Sequence, residues 1–253
     1  MDNTGNSPFR GLGGMKIALI GYGKMGKTIE EIALQRGHTV DLKIDIDSIE
    51  LFTKENLQQC DAAIEFTGPQ SAKENILKCI DSGIPVVSGS TGWLENRNEV
   101  DMFCKEKNGS FLYASNFSVG VNIFFELNKK LAQLMKGHSA YAISMEEIHH
   151  TQKKDAPSGT AITLVEQILQ EIPYKKKWVN EESENPEDLP IISKREDPAP
   201  GTHSIKYSSA IDDIEIIHTA HSRQGFALGA VLAAEYIHDK KGIFNMKNVL
   251  NIA

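Results

Sequence analysis

Short apolar runs alternate with amphipathic stretches from residue 16 to about residue 115. "KIALIG" (16–21) is a continuous apolar run closed by glycine, the pattern of a strand buried on both faces. "KMGKTIEEIALQRG" (24–37) follows with helical spacing at Met25, Ile29, Ile32 and Ala33, and Gly37 marks its end. "TVDLKID" (39–45), "AAIEFT" (62–67), "PVVSGS" (85–90) and "SFLYAS" (110–115) read as further strands, with helices near 70–82 and 95–107. Strand and helix in strict alternation predict an α/β fold, a Rossmann-type doubly wound parallel sheet.

The pattern changes after residue 117. "VGVNIFFELNKKLAQLM" (119–135) predicts a long amphipathic helix, and "TAITLVEQILQEI" (160–172) another. "YAISMEEIHH" (141–150) and "IKYSSAIDDIEIIHTAHS" (205–222) predict strands of an antiparallel sheet. The stretch 173–202, rich in Pro, Glu and Lys, predicts a long loop, and "ALGAVLAAEYIHD" (227–239) a closing helix that returns to the first domain. The expected organisation is a dinucleotide-binding domain of 15–117 with 223–253 and a smaller α+β substrate-binding and oligomerisation domain of 118–222. Residues 1–14, polar and Gly-rich, are expected to be an extension outside the fold, with Met15 the natural start.

Bulk properties narrow the function. The 253 residues are 40% hydrophobic and 24% charged, with a net charge of −7, which argues against a general nucleic-acid role. Cys60, Cys79 and Cys104 form no CxxC pair, as in a reduced cytoplasmic protein, and no apolar run reaches membrane-spanning length.

Two stretches carry chemistry. "GYGKMG" (Gly21, Tyr22, Gly23, Lys24, Met25, Gly26) falls between the first strand and the first helix. There, Gly21 permits a tight turn, Gly23 lets a pyrophosphate approach the backbone, and Gly26 lets helix pack on strand. Asp45 ends the second strand nineteen positions after Gly26, the spacing of a carboxylate that binds the adenosine ribose. The second stretch, "EEIHHTQKKDAPSGTA" (146–161), sets two histidines and Lys153 before a helix start at Pro157 and Ser158. Gly159 and Thr160 there offer N–H groups at a helix N-terminus, which suits a small substrate carrying carboxylates. His149 and His150 point to opposite strand faces, and no cysteine or third histidine stands at ligand spacing, so no metal is expected.

Together with "EFTGP" (65–69), "GSTGW" (89–93), "ASNFSVGVN" (114–122) and "ALGAV" (227–231), these motifs resemble, in order and from Met15 to the C-terminus, the dihydrodipicolinate (4-hydroxy-tetrahydrodipicolinate) reductase family. The resemblance implies NAD(P)H-dependent reduction of 4-hydroxy-tetrahydrodipicolinate in lysine and diaminopimelate biosynthesis, by a cytoplasmic homotetramer. It implies His149 as proton donor and acceptor and Lys153 as catalytic lysine. His150, Ser158, Gly159 and Thr160 would hold the substrate's carboxylates. Phe66, Thr67, Gly89, Ser90, Thr91 and the segment Ala114, Ser115, Asn116, Phe117 would join the glycine turn and Asp45 around NADH or NADPH. Two departures from the family's pattern stand out. The region "SKREDPAPGTHSIKYS" (193–208) is read as shortened, and Ile46 takes the place where some members carry an arginine for the 2′-phosphate, so NADH is favoured. Two other readings compete: a dehydrogenase acting on an amino acid or semialdehyde, and a non-enzymatic NAD(P)H sensor. An aldehyde-oxidising enzyme would need a loop cysteine, whereas Cys104 falls in a predicted helix.

Overall fold

The computed structural model describes residues 14–252 and divides into two compact units, Met1–Ser118 with Phe226–Ala253, and Val119–Gly225. The expectation for residues 1–14 therefore lies outside the described residues, except for Gly14, which packs against the backbone of Gly37.

The first unit is wound on β1 (Lys16–Ile20), whose side chains explain the layering. Ile17 and Leu19 enter one apolar cluster, while Ala18 and Ile20 enter a second on the other face of the sheet. Period-two alternation in a run with no polar residue requires two covered faces. One cover is α1 (Lys24–Gln35) with α7 (Gln224–Ile237) and α8 (Met246–Leu250); the other is α3 (Ala72–Asp81) with α4 (Arg97–Glu106). Between them run β2 (Thr39–Ile44), β3 (Ala62–Glu65), β4 (Val86–Ser88) and β5 (Ser110–Tyr113), with the short α2 (Lys54–Leu57) after β2. The late strand β11 (Gly242–Phe244) completes a parallel sheet of order β11-β5-β4-β3-β1-β2. Each fully buried isoleucine or leucine of this core contributes about 1.5–3 kcal/mol. A buried carboxylate fastens α7 to α1: Glu235 accepts from Arg36 Nε at 2.6 Å and lies 2.7 Å from His38 Nε2.

The second unit is a five-stranded sheet with two helices on one face. α5 (Val119–Met135) and α6 (Gly159–Glu171) pack on β6 (Ala142–His149), β8 (Asp188–Arg195) and β9 (Gly201–Ser208), in the order β10-β9-β6-β8-β7, with β7 at Lys177–Val179 and β10 at Asp213–Ala220. Ile143, Met145, Leu189, Ile191, Ile205 and Tyr207 form the inward face. The outward face mixes ion pairs, Lys194 Nζ 2.6 Å from Glu146 and Lys206 Nζ 2.7 Å from Asp213, with apolar Ile192 and Ile217.

Two expectations are corrected here. The stretch 173–202 is not a long loop: it contains β7 and β8, and β8 lies inside the sheet, paired on both sides. The sheet is also mixed, since β6 and β9 are antiparallel but β6 and β8 are parallel. In 193–208, residues 196–200 join two complete eight-residue strands.

Candidate active site

The glycine turn is built as a nucleotide cradle. Gly21 has φ +93°, and a Cβ there would stand 2.1 Å from the carbonyl oxygen of Phe66. A Cβ on Gly26 would meet the Gly21 oxygen at 2.3 Å, so the helix can come this close only as glycine. Gly23 caps α1 without a side-chain hydrogen bond, and nothing lies within 4 Å of where its Cβ would be. The N-terminus of a twelve-residue helix therefore opens on free space, which fits a pyrophosphate. Tyr22 gives its hydroxyl to Glu30, whose carboxylate also holds Lys43 at 2.5 Å, while Lys24 is exposed. Asp45 follows β2 in an exposed position and caps the next turn, Oδ1 accepting the Ile46 N–H at 2.9 Å.

Met25, Phe66, Thr67, Gly89, Ser90 and Thr91 come together around one pocket of this unit. The Phe66 ring lies on Gly89, where a Cβ would meet it at 2.2 Å. Beneath the pocket is fully buried Glu65, which sequence reasoning missed. It accepts from Thr67 N–H (2.9 Å), Thr67 Oγ1 (2.5 Å), Ser88 Oγ (2.6 Å) and Ser90 Oγ (2.7 Å). Four donors satisfy this buried carboxyl group, and they fix both pocket loops to one residue. Ala114, Ser115 and Asn116 continue from β5, with Asn116 Oδ1 accepting the Ser118 N–H at 2.9 Å. Phe117 is a core side chain, its ring 5.6 Å from that of Phe66, and it can offer a ligand only its backbone.

In the second unit the inward face of β6 turns polar at its end. After Ile143 and Met145, the same face presents Glu147 and His149, both buried, where α6 begins. Ser158 caps that helix, its Oγ accepting the Ala161 N–H at 3.2 Å and lying 3.3 Å from His203 Nε2. Its own N–H faces the Glu147 carboxylate at 3.1 and 3.2 Å. Ser158 is thus buried and committed within the protein. The N–H groups of Gly159 and Thr160 have no partner among the described residues and remain for a ligand. Lys153 Nζ stands 2.8 Å from both oxygens of Asp155, and His150, just beyond the strand, is half-buried.

Electrostatics follow from burial and partners. Burial pushes Glu147 toward protonation, but hydrogen bonds led by those from Ser158 outweigh it and hold the carboxyl below its ordinary range. Burial lowers His149 despite the Glu147 charge beside it, and pushes His203 down to about 4. Both imidazoles are therefore neutral near pH 7. His203 is the third histidine that the local sequence lacks, brought from β9 with its ring 5.0 Å from that of His149. Atoms of Glu147, His149 and His203 fall within 4.8 Å of one another, a span that a metal could bridge. The carboxylate already has a cation, however: Arg195 Nη2 donates to its Oε1 at 3.2 Å. Cys104 is buried in α4 and its thiol is pushed up by burial, so it offers no nucleophile.

Comparison with known proteins shows the family. Residues 15–117 match the model of the dihydrodipicolinate reductase N-terminus, and residues 120–250 that of its C-terminus. The chain is 54% identical over 237 residues to 4-hydroxy-tetrahydrodipicolinate reductase of Christiangramia forsetii, covering 94% of this chain and 98% of that relative. It is 34% identical to the enzyme of the same name from Methanosarcina acetivorans, over 93% and 89% of the two chains. In structure it resembles a dipicolinate-bound dihydrodipicolinate reductase from Paenisporosarcina sp., with TM-score 0.74 and 22% identity over 95% of this chain and 100% of the other. The chain belongs to the dihydrodipicolinate reductase family.

Proposed function

We propose that this chain performs the family's reaction, NAD(P)H-dependent reduction of 4-hydroxy-tetrahydrodipicolinate to tetrahydrodipicolinate, with the cofactor on its first unit and the dicarboxylate on its second. The observation that carries the division is the polar end of β6, where His149, Lys153 and two free helix N–H groups meet. A protein that only sensed NAD(P)H would have no use for that arrangement.

A reduced nicotinamide dinucleotide, held through its pyrophosphate by the glycine turn, would supply the hydride. The substrate's carboxylates take the Gly159 and Thr160 N–H groups and the Lys153 ammonium, which exchanges Asp155 for the ligand. His150 adds a half-buried donor beside them. Loss of the C4 hydroxyl with a C3 proton, as water, turns the substrate into the cyclic unsaturated imine; hydride addition at C4 of that imine leaves an enamine, which takes one proton back at C3. His149 is neutral in the free protein, but a dianion beside it raises its proton affinity. The imidazolium formed with substrate bound then gives its proton to the enamine. Fixed cations around this charge stabilise it as it develops.

NADH is favoured over NADPH, because Asp45 and Ile46 offer a 2′-phosphate a like charge and no guanidinium. Lys43, two residues before Asp45 in β2, is engaged by Glu30. A cytoplasmic location follows from the resemblance alone; a homotetramer, which the resemblance also implies, is supported by exposed Ile211, Ile214 and Ile217 on and beside β10, and is tested by sedimentation of the purified chain. No helix among the described residues is long and apolar enough to cross a membrane.

The activity is tested with the full chain, reduced nicotinamide and 4-hydroxy-tetrahydrodipicolinate. Absorbance of the reduced cofactor falls only when both are present. Absence of that loss, in protein that still binds the cofactor, rejects the assignment.

A further inference from the structure

Arg195 stands at the end of β8, where the parallel register sets it beside His149. Its guanidinium does not point to solvent. Nε donates to the carbonyl of Lys153 at 3.3 Å, Nη2 to the carbonyl of Asp155, and Nη1 to the carbonyl of Lys194 at 2.8 Å. Nη2 also reaches Glu147 Oε1 at 3.2 Å. The same carboxylate receives the Ser158 N–H and lies 3.5 Å from His149 Nδ1.

We infer that Glu147 and Arg195 are a positioning pair that fixes the Lys153 loop, His149 and the start of α6 relative to one another. Residues 150–158 form no helix or strand of their own, and the local backbone pairing of Lys153 is one turn bond, from its N–H to the His150 carbonyl at 3.1 Å. Two of the loop's carbonyls are held instead by one rigid planar cation. That cation is itself held by an anion that also faces His149, His203 (Nε2 at 3.8 Å) and the helix cap. A guanidinium presents donors on separate edges of one plane, whereas a lysine would present them from a single point. A buried ion pair contributes little net stability compared with apolar residues of the same size. The aim of its groups, donors toward the loop carbonyls and an acceptor toward the Ser158 N–H, is what such a pair can supply that apolar packing cannot.

The inference rests on the proposed reaction and is tested separately from it. Full-length wild type, R195A, R195K and E147Q are compared for cofactor binding by fluorescence, for kcat and KM with the dicarboxylate, and for melting temperature. R195A is expected to keep its cofactor affinity and to lose about a hundredfold in kcat, the effect of a misplacement near 1 Å. Added guanidinium should restore part of that loss, because it can refill the space between Glu147 and the two carbonyls. R195K should recover little, since it keeps charge but not the fork. E147Q should lower kcat and move the acidic limb of its pH profile, because the group beside His149 Nδ1 is then neutral.

Wild-type kcat and KM in R195A overturn the pairing while leaving the reaction itself in place. A loss that guanidinium does not restore, in step with a lowered melting temperature, also overturns it, because it marks a purely structural pair. Should R195A fail to fold, normal kcat in R195K and E147Q overturns it equally. A wild-type chain that fails to reduce the dicarboxylate sinks the reaction instead.

Discussion

Nδ1 of His149 lies 3.5 Å from Oε2 of Glu147, two residues earlier on the same strand face, whereas adjacent His150 shares neither that face nor that partner. The two histidines should therefore fail differently. His149→Gln removes the proton-exchanging imidazole and is expected to depress kcat with little change in KM. His150→Gln removes a proposed ligand contact and is expected to raise KM mainly. Steady-state kinetics on both variants separate the roles, and the opposite pattern would exchange them.

His203 carries a stability signature. Burial first, and then the neighbouring His149, push its pKa down to about 4, against about 6.5 in an unfolded chain. Between those values the unfolded chain binds the additional proton. Stability therefore falls as pH drops from about 6.5 toward 4 and loses nothing further from this group below that. The full effect is roughly 3 kcal/mol. His203→Gln should flatten that limb in urea unfolding followed across the window. An unchanged slope would place the acid sensitivity elsewhere.

Lys153→Ala should lower kcat by roughly two to three orders of magnitude, because charge and orientation are lost together. The lysine is paired only with Asp155 and does not hold the core, so the melting temperature and cofactor affinity should stay near wild type. Turnover at the wild-type rate in the folded variant would remove Lys153 from the mechanism.

What the sequence reveals of this site is what lies close together along the chain. The glycine turn, and the run from His149 to Thr160, each complete their geometry within one strand-to-helix connection, so spacing alone is informative. Glu147 was legible by the same rule, two positions before His149, but a carboxylate on an inward face reads as an ordinary strand residue until its donors are seen. Arg195 follows Glu147 by 48 residues, and His203 follows Ser158 by 45, so only the pairing of β6 with β8 and β9 brings them in. Missing β8 concealed Arg195. Pro190 and the charged ends of "DLPIISKR" mask its apolar Leu189 and Ile191, although tertiary pairing on both sides makes the segment an interior strand.

Asp45 sets the last expectation, the choice of cofactor. On the proposed reading its carboxylate accepts from the 2′- and 3′-hydroxyls of the adenosine ribose, and a 2′-phosphate would meet its charge. Ile46, 88% exposed, supplies no donor, and Lys43 is 2.5 Å from Glu30. Lys24, exposed in the glycine turn, is the cation that can soften the repulsion. Preference for NADH is therefore expected to be modest, on the order of tenfold or less, equivalent to about 1.4 kcal/mol. Asp45→Ser should shift the ratio toward NADPH, since the hydroxyl still accepts a hydrogen bond and carries no charge. Measuring kcat/KM for both cofactors in both proteins at one ionic strength decides it. A clear wild-type preference for NADPH would mean that Lys24 outweighs Asp45, and Lys24→Ala should then reverse it.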